Sequence, residues 1–269
     1  MKRISLATEI EHVVRLPQEK KYETPLLFLH GSWHGVWCWE NFMGHFAELG
    51  YETHAISLPG HGLSGLRRRH INLHTLRDYV KVLSDEVDQF AIKPVVIGHS
   101  LGGGIVQKYL EGHPLPGVVL MAPTPARGVW GMMLRNLREF PLLLLRSSLL
   151  FDTHCFVESP RMAKTLLFNE TTTLDMEAFQ KRLHKESFLA GVGMLLPYAR
   201  LNRERTPVFV VAGANDRIFT VKEQRLTAER YSAELVVYEN MPHNLMMESG
   251  WDRVANDIHA WLSCAVPSV

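Results

Sequence analysis

The central feature of this 269-residue sequence is the pentapeptide Gly98-His99-Ser100-Leu101-Gly102. It follows the apolar run Pro94-Val95-Val96-Ile97 and precedes residues 103–110, whose apolar positions recur at helical spacing. This pattern predicts a strand, a sharp turn and a helix, the setting in which G-x-S-x-G forms a nucleophile elbow. Flanking glycines let the strand and the helix approach closely around a strained serine. A plain glycine-rich turn is the alternative, and the strand and helix context favours a nucleophilic Ser100.

Short apolar runs on both sides of this motif predict further buried strands, at residues 26–29, 52–58, 117–122, 207–213 and 235–238. Amphipathic segments separate them and predict helices, at residues 36–49, 73–90, 221–231 and 250–263. Residues 4–16 are typical of one or two edge strands. Because strands alternate with helices, we expect an α/β fold with a mostly parallel central sheet flanked by helices.

The strand signal is absent from residues 126–205, where apolar residues recur at helical spacing between Pro141, Pro160 and Pro197. Several short helices are expected there. They would form a cap inserted after the sixth strand and lying over the carboxyl edge of the sheet. The predicted organisation is therefore a core domain of residues 1–125 and 206–269, with a helical cap insertion of residues 126–205.

Composition limits the classes of partner. The net charge of +1 gives no basis for binding nucleic acid or an anionic membrane. We expect no signal peptide, since Glu9 and Glu11 interrupt the apolar start, and no integral membrane segment, since no apolar stretch is long enough. Three widely spaced cysteines favour neither a disulfide scaffold nor a zinc site, which fits a reducing, cytoplasmic location.

A nucleophilic serine needs a general base and a carboxylate that orients the base. Asp216 follows the strand at residues 207–213, and His243 follows the strand at residues 235–238. Each has a simpler interpretation, Asp216 as a turn residue and His243 as a capping residue. Their joint placement in the order Ser, Asp, His predicts a triad of Ser100, Asp216 and His243. Acidic residues and histidines in the insertion follow no strand and are not candidates.

Acyl transfer at a serine also needs two N–H donors for the developing oxyanion. The backbone amide of Leu101 is one candidate, because it begins the helix after Ser100. The amide of Ser32 is the other, since it lies in the loop after the strand at residues 26–29. We expect His30 and Gly31 to shape this loop without reacting. An ordinary turn at the end of the strand is the alternative.

Four residues are candidates for lining a pocket over the serine. Trp33 and Trp37 lie near the predicted oxyanion loop, and Trp130 and Met133 lie in the insertion. Apolar side chains in these positions could also serve only to pack the cap and the core, because most apolar residues at helical spacing are buried for packing.

These motifs resemble those of the α/β-hydrolase-fold superfamily, across nearly the whole chain outside the insertion. The segments His34-Gly35-Val36-Trp37-Cys38-Trp39 and Leu49-Gly50-Tyr51 are similar to plant methylesterases and hydroxynitrile lyases. Those lyases typically carry a lysine after the catalytic histidine and a threonine after the first-strand histidine. This chain has Asn244 and Gly31 at these positions, which favours an esterase over a lyase. Ser100 stands where epoxide hydrolases and haloalkane dehalogenases have an aspartate, which argues against those reactions.

The resemblance and the motifs together predict a serine hydrolase that cleaves carboxylic esters of small to medium apolar acyl or aromatic groups. The chemistry requires no cofactor and no metal. Two alternatives remain open: a C–C bond hydrolase or lyase using the same triad, and a small-molecule receptor that keeps the pocket without turnover. The sequence does not separate esters from thioesters or lysophospholipids, and it does not specify an oligomeric state.

Overall fold

A computed structural model describes residues 2–5, 9–67, 69–200 and 206–266, with side chains from residue 9 onward. Its centre is an eight-stranded sheet in the order β1-β2-β4-β3-β5-β6-β7-β8. The strands are β1 (Lys2–Ser5), β2 (Ile10–Arg15), β3 (Leu26–Leu29), β4 (Thr53–Ile56), β5 (Val95–His99), β6 (Val118–Met121), β7 (Val208–Gly213) and β8 (Glu234–Tyr238). β2 pairs antiparallel with β1 and β4, and all other pairs are parallel. The predicted α/β fold with a mostly parallel sheet is confirmed.

In the part of the chain that the structure describes, ten α-helices accompany the sheet. They are α1 (Glu40–Leu49), α2 (Leu76–Val87), α3 (Leu101–Tyr109), α4 (Trp130–Glu139), α5 (Pro141–Leu150), α6 (Pro160–Leu167), α7 (Met176–Gln180), α8 (Phe188–Val192), α9 (Val221–Tyr231) and α10 (Trp251–Ala265). Side chains of α2, α3 and α9 share one apolar cluster with Leu27 and Leu29, and those of α1 and α10 share another with Leu26 and Phe28. Alternate residues of β3 are thus buried on opposite faces, as expected for a central parallel strand.

Helix boundaries follow local capping. α9 spans the predicted residues, and a capping box of Thr220 and Glu223 begins it. The helix predicted from residue 73 begins three residues later, because Thr75 and Asp78 form a capping box there. The helix predicted from residue 36 divides into a 3-10 turn, Val36–Trp39, and α1. α1 ends at Leu49, the predicted last residue of the helix, and Gly50 with φ of 108° caps it.

The register brings the loops that follow several strands to one edge. Leu29 of β3 lies opposite Ile56 of β4 and Gly98 of β5. His99 lies opposite Met121, and Gly213 lies opposite the last residue of β8. Because the carboxyl ends of parallel strands meet at this edge, the segments after β3, β5, β6, β7 and β8 converge there.

Between β6 and β7, the described part of the chain forms helices and irregular segments without a strand. Two hydrogen bonds attach this insertion to the loop after β3: Trp33 Nε1 donates to Thr153 Oγ1 (3.2 Å), and the His184 amide donates to the Trp33 carbonyl (2.8 Å). The predicted end of the insertion, residues 201–205, lies outside the described residues. Its assignment as a separate cap with boundaries at 126 and 205 stays a prediction. Across the described residues, no helix has the length and apolar character needed to cross a bilayer.

The buried strand β3 offers a test of the sheet assignment. Replacement Leu27→Ala removes a fully buried side chain and should lower the free energy of unfolding by about 2 to 5 kcal/mol, through lost burial and the cavity left behind. Leu16→Ala, at a position 67% exposed, is the matched control and should change it by less than about 0.5 kcal/mol. Urea titration measures both, and equal effects would contradict the placement of β3 in the core.

Candidate active site

Ser100 occupies the turn between β5 and α3 in a strained conformation, with φ of 51° and ψ of −116°. Such a positive φ is unfavourable for a residue with a Cβ. Hydrogen bonds hold it on both sides: its amide donates to the Met121 carbonyl (3.0 Å), while its carbonyl accepts from the amides of Gly104 (3.1 Å) and Thr124 (3.0 Å). The turn is therefore fixed by β6 and the loop that follows it.

The glycine on the helix side of the elbow is required by close packing. A Cβ on Gly102 would lie 2.5 Å from the carbonyl oxygens of both Leu29 and His30. No side chain fits there unless the backbone at the end of β3 moves. The glycine spacing read from the sequence thus reflects direct contact between the elbow helix and the neighbouring strand.

Asp216 and His243 meet at the same edge of the sheet. His243 Nδ1–H donates to Asp216 Oδ2 (2.8 Å), and both side chains are almost fully buried. The other carboxylate oxygen, Oδ1, accepts from the amides of Ile218 (2.7 Å) and Phe219 (3.0 Å). These bonds fix the carboxylate, which in turn selects the tautomer of His243 with a free Nε2. That nitrogen is the one that can act as a base.

His99, the residue before Ser100, connects the elbow to the loop of His243. The two imidazole rings lie with centroids 4.7 Å apart, and His99 Nε2–H donates to the His243 carbonyl (3.0 Å). Burial lowers the pKa of His99 well below its ordinary value, so the ring stays neutral. Phe219, which lines the same cavity as Ser100, packs edge-on against the His243 ring, with the ring centroids 5.7 Å apart.

The amides proposed for the oxyanion both belong to residues that line a cavity together with Ser100. Leu101 is the first residue of α3, so its N–H has no partner within the helix. The Ser32 amide makes no hydrogen bond with any described residue. His30 braces this loop, donating from Nδ1 to the Gly31 carbonyl (2.7 Å) and accepting the Leu58 amide at Nε2 (2.9 Å). This geometry supports a shaping role for His30.

His34 and Asn244 form a second connection, between the Ser32 loop and the His243 loop. His34 Nδ1–H donates to the Ser32 carbonyl (2.6 Å), and Asn244 Nδ2 donates to His34 Nε2 (3.0 Å). Burial lowers the pKa of His34 to about 3, so that Nε2 remains an acceptor. Sequence reasoning noted both residues only within a resemblance, because no local pattern shows that positions 34 and 244 meet.

Gly31 is confined by the elbow itself. A Cβ at this position would lie 2.8 Å from both Ser100 Cβ and His99 Nδ1. A larger residue, such as the threonine typical of the lyases, would displace Ser100 or the loop. The close packing around Gly31 therefore leaves no room for the threonine that the lyases carry at this position.

A cavity of about 200 Å³ opens beside Ser100. Its wall is mainly apolar and includes Met132, Met133, Leu144, Met194, Leu195 and Phe219. Of the four predicted pocket residues, Trp33 and Met133 line it. Among the residues that the structure describes, no group of three His, Cys, Asp or Glu side chains is arranged to hold a metal ion.

Trp37 and Trp130 lie outside this cavity, which corrects the prediction that they line it. Trp37 packs edge-on against Phe179 and beneath the guanidinium of Arg182, 4.4 Å from the ring centroid. Trp130 is 52% exposed, on a face of α4 with Leu134. Trp130 lies outside the cavity because another side of α4, which carries Met132, Met133 and Asn136, faces it.

A strained serine directly after a parallel strand, at the sheet edge where a buried His–Asp pair also lies, is typical of α/β proteins with a nucleophile elbow. The model of the alpha/beta hydrolase family matches residues 26–257, and the chain belongs to that family. The sequence is 24% identical over 232 residues to a monoacylglycerol lipase of Mycolicibacterium smegmatis, covering 81% of this chain and 80% of the lipase. It is 28% identical over 164 residues to a putative chloroplastic methylesterase of Arabidopsis thaliana, covering 56% of this chain and 41% of the methylesterase.

The chain thus spans about two fifths of that methylesterase and four fifths of the lipase. Solved structures show the same fold at low sequence identity. An esterase from Exiguobacterium antarcticum superposes with a TM-score of 0.72 at 14% identity, over 94% of this chain and 95% of the esterase. A putative non-heme bromoperoxidase from Mycobacterium tuberculosis superposes with a TM-score of 0.73 at 15% identity. The match covers 95% of this chain and 96% of the bromoperoxidase. This esterase and this putative bromoperoxidase therefore share the architecture of the chain.

The steric limit at Gly31 is testable. Gly31→Ala should displace the Ser32 amide from its place beside Ser100 and slow covalent labelling by a fluorophosphonate about 100-fold, the effect of losing one oxyanion donor. Gly112→Ala is the matched control, since a Cβ there meets nothing within 4 Å. Intact-mass spectrometry measures the labelling rates, and equal rates for the two variants would contradict the proposed place of Ser32.

Burial of neutral His34 predicts a pH-dependent stability. Its pKa falls from an ordinary 6.5 to about 3 on folding, so between these values the unfolded chain binds a proton that the folded protein excludes. Stability should therefore decrease as the pH falls from 6.5 toward 3, by roughly 1.4 kcal/mol per pH unit from this group. Urea titrations at several pH values should show that the free energy of unfolding depends less steeply on pH in His34→Gln than in the parent protein. Equal slopes would show that His34 is protonated in the folded protein.

Proposed function

We propose that this protein is a serine hydrolase that cleaves carboxylic esters through an acyl-enzyme intermediate. The main support is the buried hydrogen bond between His243 Nδ1 and Asp216 Oδ2, at the sheet edge that holds the strained Ser100. The apolar cavity lined by Ser100 supplies a place for the acyl or aromatic group. Family membership, together with relatives named as a putative methylesterase and a monoacylglycerol lipase, supports an ester substrate.

The proposed reaction begins with attack of Ser100 Oγ on the ester carbonyl carbon. His243 Nε2 accepts the hydroxyl proton, and Asp216 stabilises the resulting imidazolium. The Ser32 and Leu101 amides donate to the oxyanion of the tetrahedral intermediate. When the intermediate collapses, the C–O bond to the alcohol breaks and His243 returns the proton to the leaving oxygen. Water, deprotonated by the same histidine, then releases the carboxylic acid and restores Ser100.

The size and lining of the cavity support a small to medium apolar acyl or aromatic group. A volume of about 200 Å³ is below the usual range for drug-sized ligands. The lyase alternative gains no support, because Asn244 is fully buried and donates to His34 instead of lining the cavity. Nothing in the site specifically favours a receptor without turnover.

The triad is tested by replacing its first two members separately. Ser100→Ala should abolish both fluorophosphonate labelling and turnover of p-nitrophenyl butyrate. Asp216→Asn should lower kcat by about 10⁴-fold, because the amide no longer selects the His243 tautomer with a free Nε2. Asp175→Asn is the matched control, since Asp175 only caps a five-residue helix in the insertion, and its kcat should match that of the parent protein.

Labelling retained in Ser100→Ala would show that another residue is the nucleophile. An unlabelled and inactive parent protein, shown to be folded by its thermal transition, would overturn the esterase proposal. Turnover measured over a series of acyl chain lengths would in addition measure the length of the binding pocket.

A further inference from the structure

Among the residues that the structure describes, the wall of the cavity beside Ser100 contains one amide side chain, that of Asn136 in α4. Met132 and Met133, about one helical turn before it, lie on the same side of the helix and also line the cavity. Leu134 and Leu137 lie on the opposite side and are more than half exposed. The geometry of α4 therefore directs the Asn136 side chain toward the cavity.

The Asn136 amide has no hydrogen-bond partner within the described part of the chain. The residue is partly exposed, and neither of its amide atoms is fully buried, so both atoms remain accessible to a ligand. An amide side chain offers two N–H donors and a carbonyl acceptor. Asn136 thus keeps its full hydrogen-bonding capacity in a wall that is mainly apolar.

The stability of α4 does not explain an asparagine at this position. Asparagine is a weaker helix former than leucine or methionine, because its side chain competes for backbone hydrogen bonds. Its neighbours on the cavity side, Met132 and Met133, supply apolar contacts. A third apolar residue would suit the helix and its surroundings better if packing were the only requirement.

We propose that the Asn136 amide donates a hydrogen bond to an uncharged oxygen of the substrate, so that the preferred substrates are esters with an additional keto or hydroxyl group. This inference rests on the proposed ester hydrolysis at Ser100 and specifies its substrate class. An uncharged oxygen is expected because the described cavity wall holds no basic side chain, and its one charged residue is the acidic Glu186. An ester without such a group takes the amide out of water and leaves it unpaired, which disfavours binding.

Pairs of esters that differ by one keto group test this preference. Phenyl 4-oxopentanoate and phenyl pentanoate differ in the acyl part, whereas 4-oxopentyl butyrate and pentyl butyrate differ in the alcohol part. The measured quantity is the ratio of kcat/KM between the keto ester and its partner. Comparing this ratio between the parent protein and a variant cancels the intrinsic reactivity of the esters.

Asn136→Leu removes the amide and keeps a side chain of similar size. In at least one pair, its ratio should be about tenfold lower than that of the parent protein, through slower turnover of the keto ester. Its Tm should not fall, because leucine favours the helix and the neighbouring side chains are apolar. Asn136→Ala, which also lacks the amide, should lower the same ratio by a similar factor.

Asn256→Leu is the matched control, since Asn256 is exposed on α10 and does not line the cavity. It should keep the parent ratio in both pairs.

Ratios in Asn136→Leu within about twofold of the parent values for both pairs would overturn the inference. So would a lower Tm with an equal loss of rate on all four esters, which would give Asn136 a structural role alone. If Ser100 is not labelled by a fluorophosphonate and none of the four esters is cleaved, the proposed function itself fails, and the inference fails with it.

Discussion

The strained backbone of Ser100 is the constraint on which the rest of the site depends. Its positive φ persists because the Met121 carbonyl and the amides of Gly104 and Thr124 hold it from two directions. These partners come from β6, from the loop after it and from α3. The position of the serine hydroxyl is thus set by the sheet register and by the elbow helix, and hardly at all by the conformational preference of serine itself.

Neutral buried histidines connect the loops around this serine. His99 links the elbow to the His243 carbonyl, while His34 links the Ser32 loop to Asn244. Imidazole suits these positions because a neutral ring donates from one nitrogen and accepts at the other. Burial keeps both rings neutral by lowering the pKa of each. The groups proposed to act on substrate are therefore held by groups that do not change charge near neutral pH.

The sequence was sufficient for the fold and for placing Ser100, Asp216 and His243 in segments that follow strands at one edge of the sheet, because each of those strands has a clear apolar pattern. It was insufficient for Trp37 and Trp130. Their positions depend on the direction in which helical side chains project, which short apolar segments do not determine. It also could not identify Asn136, an isolated amide residue whose place in the cavity wall depends on which side of α4 faces the cavity.

Trp33 makes the core and the insertion depend on each other. This residue has a positive φ of 66°, and it uses both its backbone carbonyl and its indole nitrogen to bind the insertion, at His184 and Thr153. It directly follows Ser32, whose amide is proposed to bind the oxyanion. The two parts of the chain are consequently not interchangeable modules. A different insertion grafted onto this core would need to supply a donor for the Trp33 carbonyl and an acceptor for its indole, or the loop beside Ser100 would lose its support.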